Sequence, residues 1–279
     1  MYIISMNKLN TAKRTQILSA LVEGNSLRAT TRMSGCSINT VTKLLVDAGK
    51  ACEEYQDRVM RNLACERIQC DEIWAFCYAK QKNVPADKQG IVGYGDVWTW
   101  VAIDADTKIV PTWMMGLRDV DHANAFMADL AGRVADRVQL TTDGLHVYGE
   151  AVWNGFADNV DYAKLVKTYG PSQGESGRYS PPVCTGCKKK TVQGSPDPQH
   201  ISTSYVERQN LTMRMGMRRF TRLTNGFSKK FENMGHAVAL HFMHYNFARL
   251  HKTLRATPAM AAGVTDRLWD VATIVELIS

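Results

Sequence analysis

The sequence predicts an α/β protein, a mixed sheet flanked by helices with a small all-α segment in front of it. Three observations predict this. Hydrophobic residues make up 45% and charged residues 22% of 279 positions, an ordinary globular balance that supplies a sizeable core. The first fifty residues carry their apolar side chains at helical spacing. From about Arg67 the texture changes to apolar, aromatic and β-branched runs separated by polar or glycine-containing stretches, which is the pattern of consecutive strands, and helices then alternate with strands.

Composition narrows the function classes. The length fits one large domain or about two of ordinary size, and excludes a small disulfide scaffold. No apolar run approaches the roughly 18 residues that cross a bilayer. The opening MYIISMNKLN is too short in apolar residues for a signal peptide, so a cytoplasmic protein with no membrane partner is expected. Seven cysteines is an odd number, and five of them, Cys36, Cys52, Cys65, Cys70 and Cys77, stand singly among apolar or helical residues, as reduced thiols do. The formal charge of +7 permits a polyanionic partner. Its location is more informative: from Lys188 to Lys230 there are ten basic residues and two acidic ones, Asp197 and Glu207.

Element by element, Ile17, Leu18, Leu21 and Val22 define a first helix that Gly24 ends. Ser26 caps a second helix through Met33, Gly35 permits a tight turn, and Ser37 or Asn39 caps a third, TVTKLLVDAG. Three helices with a glycine turn suggest a helix-turn-helix. In such a unit Asn39, Thr40 and Lys43 are candidate base readers, Val41, Leu44 and Leu45 face the core, and Arg28 and Arg32 touch phosphate. A small helical bundle with a solvated basic face fits the same pattern. A charged helical connector follows to about Arg67. Then come three strands, ERIQCDEIWAFCY, DVWTWVAID and KIVPTWMMGL. Asp121 is positioned to cap a helix through Val134, with Ala125, Phe126, Leu130 and Val134 inward. VQLTTDG is a buried strand, HVYGEAVW a short helix and VDYAKLV a fifth strand. From Tyr169 to about His200, Gly, Pro, Ser and Lys dominate, predicting a long insertion without regular structure. Helix returns at Ser204. The order of three strands, helix, strand, helix, strand, loop and helix matches a ribonuclease H-like fold.

That fold would put Asp71 within the first strand, Asp143 at the end of the fourth and Glu207 on the helix after the fifth. Phosphodiester transfer needs cations that stabilise charge on phosphate and on the attacking and leaving oxygens. Mg2+ prefers oxygen ligands, and three carboxylates can hold a pair of such ions about 4 Å apart. Asp71 is the strongest candidate, because an unpaired carboxylate in an apolar strand costs several kcal/mol, while its neighbour Glu72 should face the other side. Asp143 lies where a strand runs into a turn, the usual place for ligands in open α/β sheets, although Asp before Gly is also a common turn pair. Glu207 shares a helical ridge with Asn210, Arg214 and Arg218, a spacing that an ordinary solvated face would share.

These residues converge on a family. CDEIW around Asp71, TTDG around Asp143, YVERQNLTMRMGMRRFTRLTNGFSKK around Glu207 and YNFARLHKTLRATPAMAAG from Tyr245 together resemble bacterial insertion-sequence transposases with an Asp-Asp-Glu triad, especially the insertion sequence 1 family. DYAKLVKTYG and RYSPPVCTGC are similar to it as well. The resemblance covers about Asp71 to Gly263. It implies a ribonuclease H-like domain that cuts double-stranded DNA at the terminal inverted repeats of an element and joins the freed 3′ hydroxyl to target DNA. It implies Asp71, Asp143 and Glu207 as catalytic acids and ligands of Mg2+ or Mn2+, and a homodimer or larger assembly on DNA in the bacterial nucleoid. The corresponding plan is a helix-turn-helix over 1–50, a helical connector over 51–66, the catalytic domain over 67–263 with a basic insertion at about 170–200, and a carboxy-terminal helix over 264–279. One departure is that no cysteine precedes Cys36 in this sequence, whereas the family often carries a cysteine zinc finger ahead of the helix-turn-helix, so the resemblance implies less about how element ends are recognised. A nuclease without strand transfer, or a DNA-binding repressor with an inactive second domain, are the alternatives.

Lys188, Lys189, Lys190, Arg208, Arg214, Arg218, Arg219, Arg222, Lys229 and Lys230 are the expected phosphate contacts, giving binding that weakens as salt rises. Cys184 and Cys187 form one CxxC, for which His200 is the sole nearby further zinc ligand, so free thiols or a zinc shared between subunits compete with a closed site. His236, His241, His244 and His251 accompany an apolar stripe of Phe231, Met234, Val238, Phe242 and Tyr245, and are expected to be satisfied structural groups. Trp98, Trp100 and Trp113 are expected to be buried.

Overall fold

The computed structural model describes residues 8–170, 183–221 and 225–278. Arg222 and the first part of the expected insertion, 171–182, lie outside the described residues. The chain is a mixed α/β protein built on one six-stranded sheet. Helices α1 (Thr11–Val22), α2 (Leu27–Ser34) and α3 (Ile38–Val59) come first. Asn10, Ser26 and Ser37 cap them, each accepting from the backbone N–H three residues on. Gly35 takes the left-handed conformation (φ 67°) between α2 and α3, which a side chain would resist. Ser37, not Asn39, is the cap of α3.

The expected boundary at 50/51 falls inside α3, which runs on for two further turns. Its buried residues Val41, Leu44, Leu45, Ala48 and Cys52 belong to the same core as Ile68, Trp100 and Phe126 of the α/β region. Gly49 has the Cβ of His236 so close that a side chain of its own has no room, and this lets α3 lie against a later helix. Buried Arg133 ties α3 to the layer beyond it, with one nitrogen 2.8 Å from Asp57 and another 2.7 Å from Asp129.

The sheet contains β1 (Arg67–Cys77), β2 (Gly95–Asp104), β3 (Trp113–Gly116), β4 (Val138–Thr142), β5 (Val160–Gly170) and β6 (Val183–Gln193), in the order β3-β2-β1-β4-β5-β6. The three expected strands form an antiparallel meander. Strands β1, β4 and β5 run parallel, through crossover helices α4 (Val120–Ala131) and α5 (Tyr148–Phe156). The cap of α4 is Asp119, not Asp121, and this moves its apolar face: Ala123, Phe126, Met127 and Leu130 are buried, Ala125 is exposed, and Val134 lies beyond the helix.

Strand β6 replaces part of the predicted irregular insertion. It pairs antiparallel with β5 at the sheet edge, and its described side chains are nearly all exposed. With neither face buried it carries no hydrophobic alternation, so only backbone pairing makes it a strand, and its lysines suit an open edge.

Helices α6 (Ser204–Gly216) and α7 (Phe231–Met243) cover the other face, and α7 continues as a π-helical turn, His244–Ala248. The stripe Met234, Val238, Phe242 and Tyr245 packs on Ile73, Val97 and Val101 of the sheet, while Ala239, Leu240 and Met243 turn toward α3. A short helix α8 (Pro258–Ala261) precedes the expected carboxy-terminal helix, and of 264–279 only α9 (Val271–Glu276) is helical among the described residues, lying against α1 with Arg14 donating to the Ile278 carbonyl at 3.0 Å. No helix among the described residues is long and apolar enough to cross a membrane.

Candidate metal centre

Alternation along β1 sends Ile68 and Cys70 toward α4 and α5, and Gln69, Asp71 and Ile73 toward α6. Strand β4 pairs with β1 only as far as Thr142, opposite Cys70. Beyond that point β1 has lost its parallel neighbour, and a notch opens where Asp143 follows the end of β4. Asp143 is held in a turn by accepting from Leu145 N–H at 2.9 Å.

Carboxylate oxygens of Asp71, Glu72 and Asp143 lie within 4.8 Å of one another at this notch, a group that could hold a metal ion. Asp71 and Asp143 are therefore brought together as the sequence predicts. Glu72 joins them unexpectedly. It does start on the α5 side, where the Tyr148 hydroxyl sits close enough to lower its pKa, but its longer side chain reaches the notch from there. Two adjacent acids in the apolar run CDEIW were the available signal, which strict alternation argued away.

The electrostatics fit a cation. Burial pushes Asp71 up to about 6, and the Asp143 charge adds to the effect. Burial likewise pushes Glu72 up to about 7, with Asp143 and Asp71 contributing. Buried Glu72 Oε1 and the buried Tyr148 hydroxyl have only each other within reach among the described residues, and a buried carboxylate with so little support favours a proton or a cation. Arg118, a residue the sequence reading passed over, supplies part of that charge. Its Nε donates to Glu72 Oε2 at 3.0 Å, it stands 3.6 Å from Asp143, and it lies 4.6 Å from the centre of the Trp98 ring. Trp98 and Trp113 are half-buried, and only Trp100 is fully buried as expected.

Helix α6 is positioned from the sheet. Gln69 Oε1, also unanticipated, accepts from Tyr205 N–H (2.8 Å) and Val206 N–H (3.2 Å) at the start of α6, satisfying two of the donors that a helix start leaves open. One turn on, Asn210 Nδ2 donates to Asp71 Oδ2 at 2.9 Å. Glu207 lies on the same helix but outside the 4.8 Å group. Its Oε1 takes Lys167 Nζ of β5 and the Thr203 hydroxyl. Burial works against the Lys167 charge, but the Glu207 carboxylate outweighs it and raises the Lys167 pKa. The Glu207 charge is still felt at Asp71, whose pKa it raises.

The basic candidates divide. Arg28, Arg32 and Asn39 are exposed, Thr40 is half-buried with its hydroxyl 2.9 Å from that of Ser37, and Lys43 pairs with Asp47 at 2.6 Å. Lys188, Lys189 and Lys190 are exposed along β6, with Lys190 opposite Lys164 of β5. Arg208, Arg218, Lys229 and Lys230 are exposed, and Arg214 is half-buried. Arg219 turns inward to donate to Ser228 Oγ at 2.9 Å, and burial lowers its pKa. Cys184 and Cys187 bring their sulfurs to 3.7 Å on β6, while His200 is engaged by Asp197 at 2.8 Å. Among the described residues neither cysteine belongs to a cluster of three metal-ligating groups. All seven cysteines are free. The histidines are not all satisfied, since His236 Nδ1 and His241 Nε2 are buried without a partner.

Compared with known protein families and with curated proteins, the chain finds no match.

Proposed function

We propose that the chain is a DNA transposase, a phosphoryl transferase that hydrolyses a phosphodiester at an element end and joins the freed 3′ hydroxyl in line to a target phosphodiester. The observation that carries this reading is the convergence of Asp71 and Asp143, 72 positions apart in the sequence, at the strand-end notch. The sheet order, with a meander followed by parallel β4 and β5, is compatible with a ribonuclease H-like fold, and α1 to α3 are compatible with a helix-turn-helix that meets DNA through Arg28, Arg32, Asn39, Thr40 and Lys43.

Asp71 and Asp143 would hold the cation, Mg2+ or Mn2+, with Glu72 or Glu207 completing the set. A hard divalent ion supplies charge that stabilises phosphate and leaving oxygen. Asn210 orients Asp71, and Gln69 sets the position of α6 on which Asn210 and Glu207 stand. Arg118 neutralises Glu72 and remains near enough to Asp143 to bear on a phosphate oxygen. Glu207 is accessible and paired with an exchangeable ammonium, so it would be available as a further ligand beside Asp71 and Asp143. A nuclease would use the same acids. The two are separated by supplying pre-cleaved linear ends taken from the DNA flanking the gene, together with plasmid target and Mg2+. Joined product, lost in Asp71→Asn and Asp143→Asn, is the expected result; hydrolysis without joining would identify the nuclease, and unchanged joining in both variants would remove the site.

A further inference from the structure

The end of α1 and the start of α2 face the end of α6, the turn after it and the start of α7 across a groove of about 750 Å3. At its base the two layers touch: Gly24, at φ 80°, is so near the Gly216 carbonyl that a side chain there would stand 3.0 Å from it. The groove has a strongly one-sided charge. Arg28 reaches it from α2, Arg218 from the turn after α6, and Lys229 and Lys230 from the loop before α7. All four are exposed, and among the described residues none has a salt-bridge partner. Among the described residues that line the groove none is acidic.

Two further observations point to an anion. The amino-terminal end of α2, with its first N–H groups lacking helical acceptors, opens here through Ser26, Leu27 and Arg28. His241 also lines the groove, 6% exposed, with Nε2 lacking a hydrogen-bond partner. Burial, and then the charges of His244 and Arg249, push its pKa down to about 3, so the ring is neutral and one nitrogen can donate. Like charges gathered in a concave site repel one another until a counter-charge enters. The volume exceeds what one phosphate fills, and guanidiniums with helix-end amides are the donor set that phosphate oxygens suit.

We propose that this groove is a second nucleic-acid site, separate from the acid cluster, which takes the phosphodiester backbone of duplex DNA and holds it against the amino-terminal helices and the α6–α7 layer at once. The inference rests on the DNA reading above, and it joins Arg28 to Arg218, Lys229 and Lys230 as one site, although 190 or more positions separate Arg28 from the others in the sequence. Binding here needs no divalent cation.

The test is fluorescence anisotropy of the full chain with a labelled duplex of arbitrary sequence in EDTA, across about 50 to 200 mM salt. Each contacted phosphate contributes about 0.9 to the slope of log affinity against log salt. The double variants Arg28→Ala/Arg218→Ala and Lys229→Ala/Lys230→Ala should each flatten that slope by about 2 and weaken binding at least about tenfold at the middle of the range. The altered side chains are exposed, so melting temperatures should hold. Parental affinity and slope in both double variants would overturn the proposal. So would absence of DNA binding by the parent chain, or displacement of the duplex by polyglutamate or duplex RNA at lower concentration than by unlabelled duplex. If the parent binds in EDTA through the groove but neither cuts nor joins in Mg2+, the transferase reading fails and the groove stands.

Discussion

Asp71 and Glu72 are where residue chemistry and stability conflict most directly. Each binds its proton more tightly when folded than in an open chain, Asp71 near 6 against 3.8 and Glu72 near 7 against 4.5. Between those limits the folded state holds protons that the unfolded chain releases, so stability falls as pH rises from about 4 to about 7. For Glu72 alone the loss is roughly 3 kcal/mol, and the neighbouring acids titrate together. Thermal melts in EDTA should therefore decline across that window, and Asp71→Asn should flatten the decline and raise the melting temperature at pH 8. A variant with the parental pH slope would contradict the burial argument. For the proposed transferase activity the same change acts in the opposite direction: Asp71→Asn or Asp143→Asn should reduce joining on the order of 10²–10³-fold or more without lowering stability. This division, inert chemistry in a sturdier fold, is what a site that stores repulsion for a cation predicts.

At the scale of elements, α6 and α3 matter most. The first is registered on the sheet by Gln69 and Asn210 and carries Glu207 against Lys167 of β5. Removing the ammonium with Lys167→Ala should strengthen Mn2+ binding a few-fold if Glu207 turns in as a ligand, and Glu207→Gln should weaken it; titration by electron paramagnetic resonance reads both. Equal affinities in parent and variants would leave Glu207 outside the metal set. Helix α3 contributes Leu45, 1% exposed, to a core continuous with that of the α/β region. Leu45→Ala should cost about 2–5 kcal/mol and shift one cooperative denaturation transition, whereas an independent amino-terminal domain would show its own early transition. The cap at Ser26, the choice of Ser37 or Asn39 for α3, the helical stripe of α7 and the first five strands are legible because period and capping chemistry are local. Strand β6 was not: its side chains bury nothing, and the partner that makes it a strand is β5. The cap of α4 shifted by two residues for a related reason, since Asp119 and Asp121 are equally good caps locally and only packing of Phe126 and Met127 chooses between them.

For the whole molecule, a cation that binds the folded state alone raises stability by about 2.7 kcal/mol at a hundred times its dissociation constant. Mg2+ or Mn2+ should thus raise the melting temperature, more strongly above pH 7 than at pH 5 because the acids must first lose their protons, and should have no effect in Asp143→Asn. A calorimetric scan with and without the ion measures this, and a shift that persists in the variant would place the ion elsewhere. The sequence by itself determined the α/β class, the run of elements, the concentration of positive charge after Lys188 and the candidacy of Asp71 and Asp143, because composition, periodicity and strand-end position are properties of short stretches. Only the tertiary structure decided which acids meet. The end of β4 at Thr142 opens the notch that admits Glu72, the β5 ammonium pairs with Glu207, α3 crosses the expected domain boundary, and Arg28 of α2 comes to line one groove with the basic residues before α7. Each of those outcomes depends on distances between residues far apart in the chain, and such distances are set by the packing of layers, which no local pattern encodes.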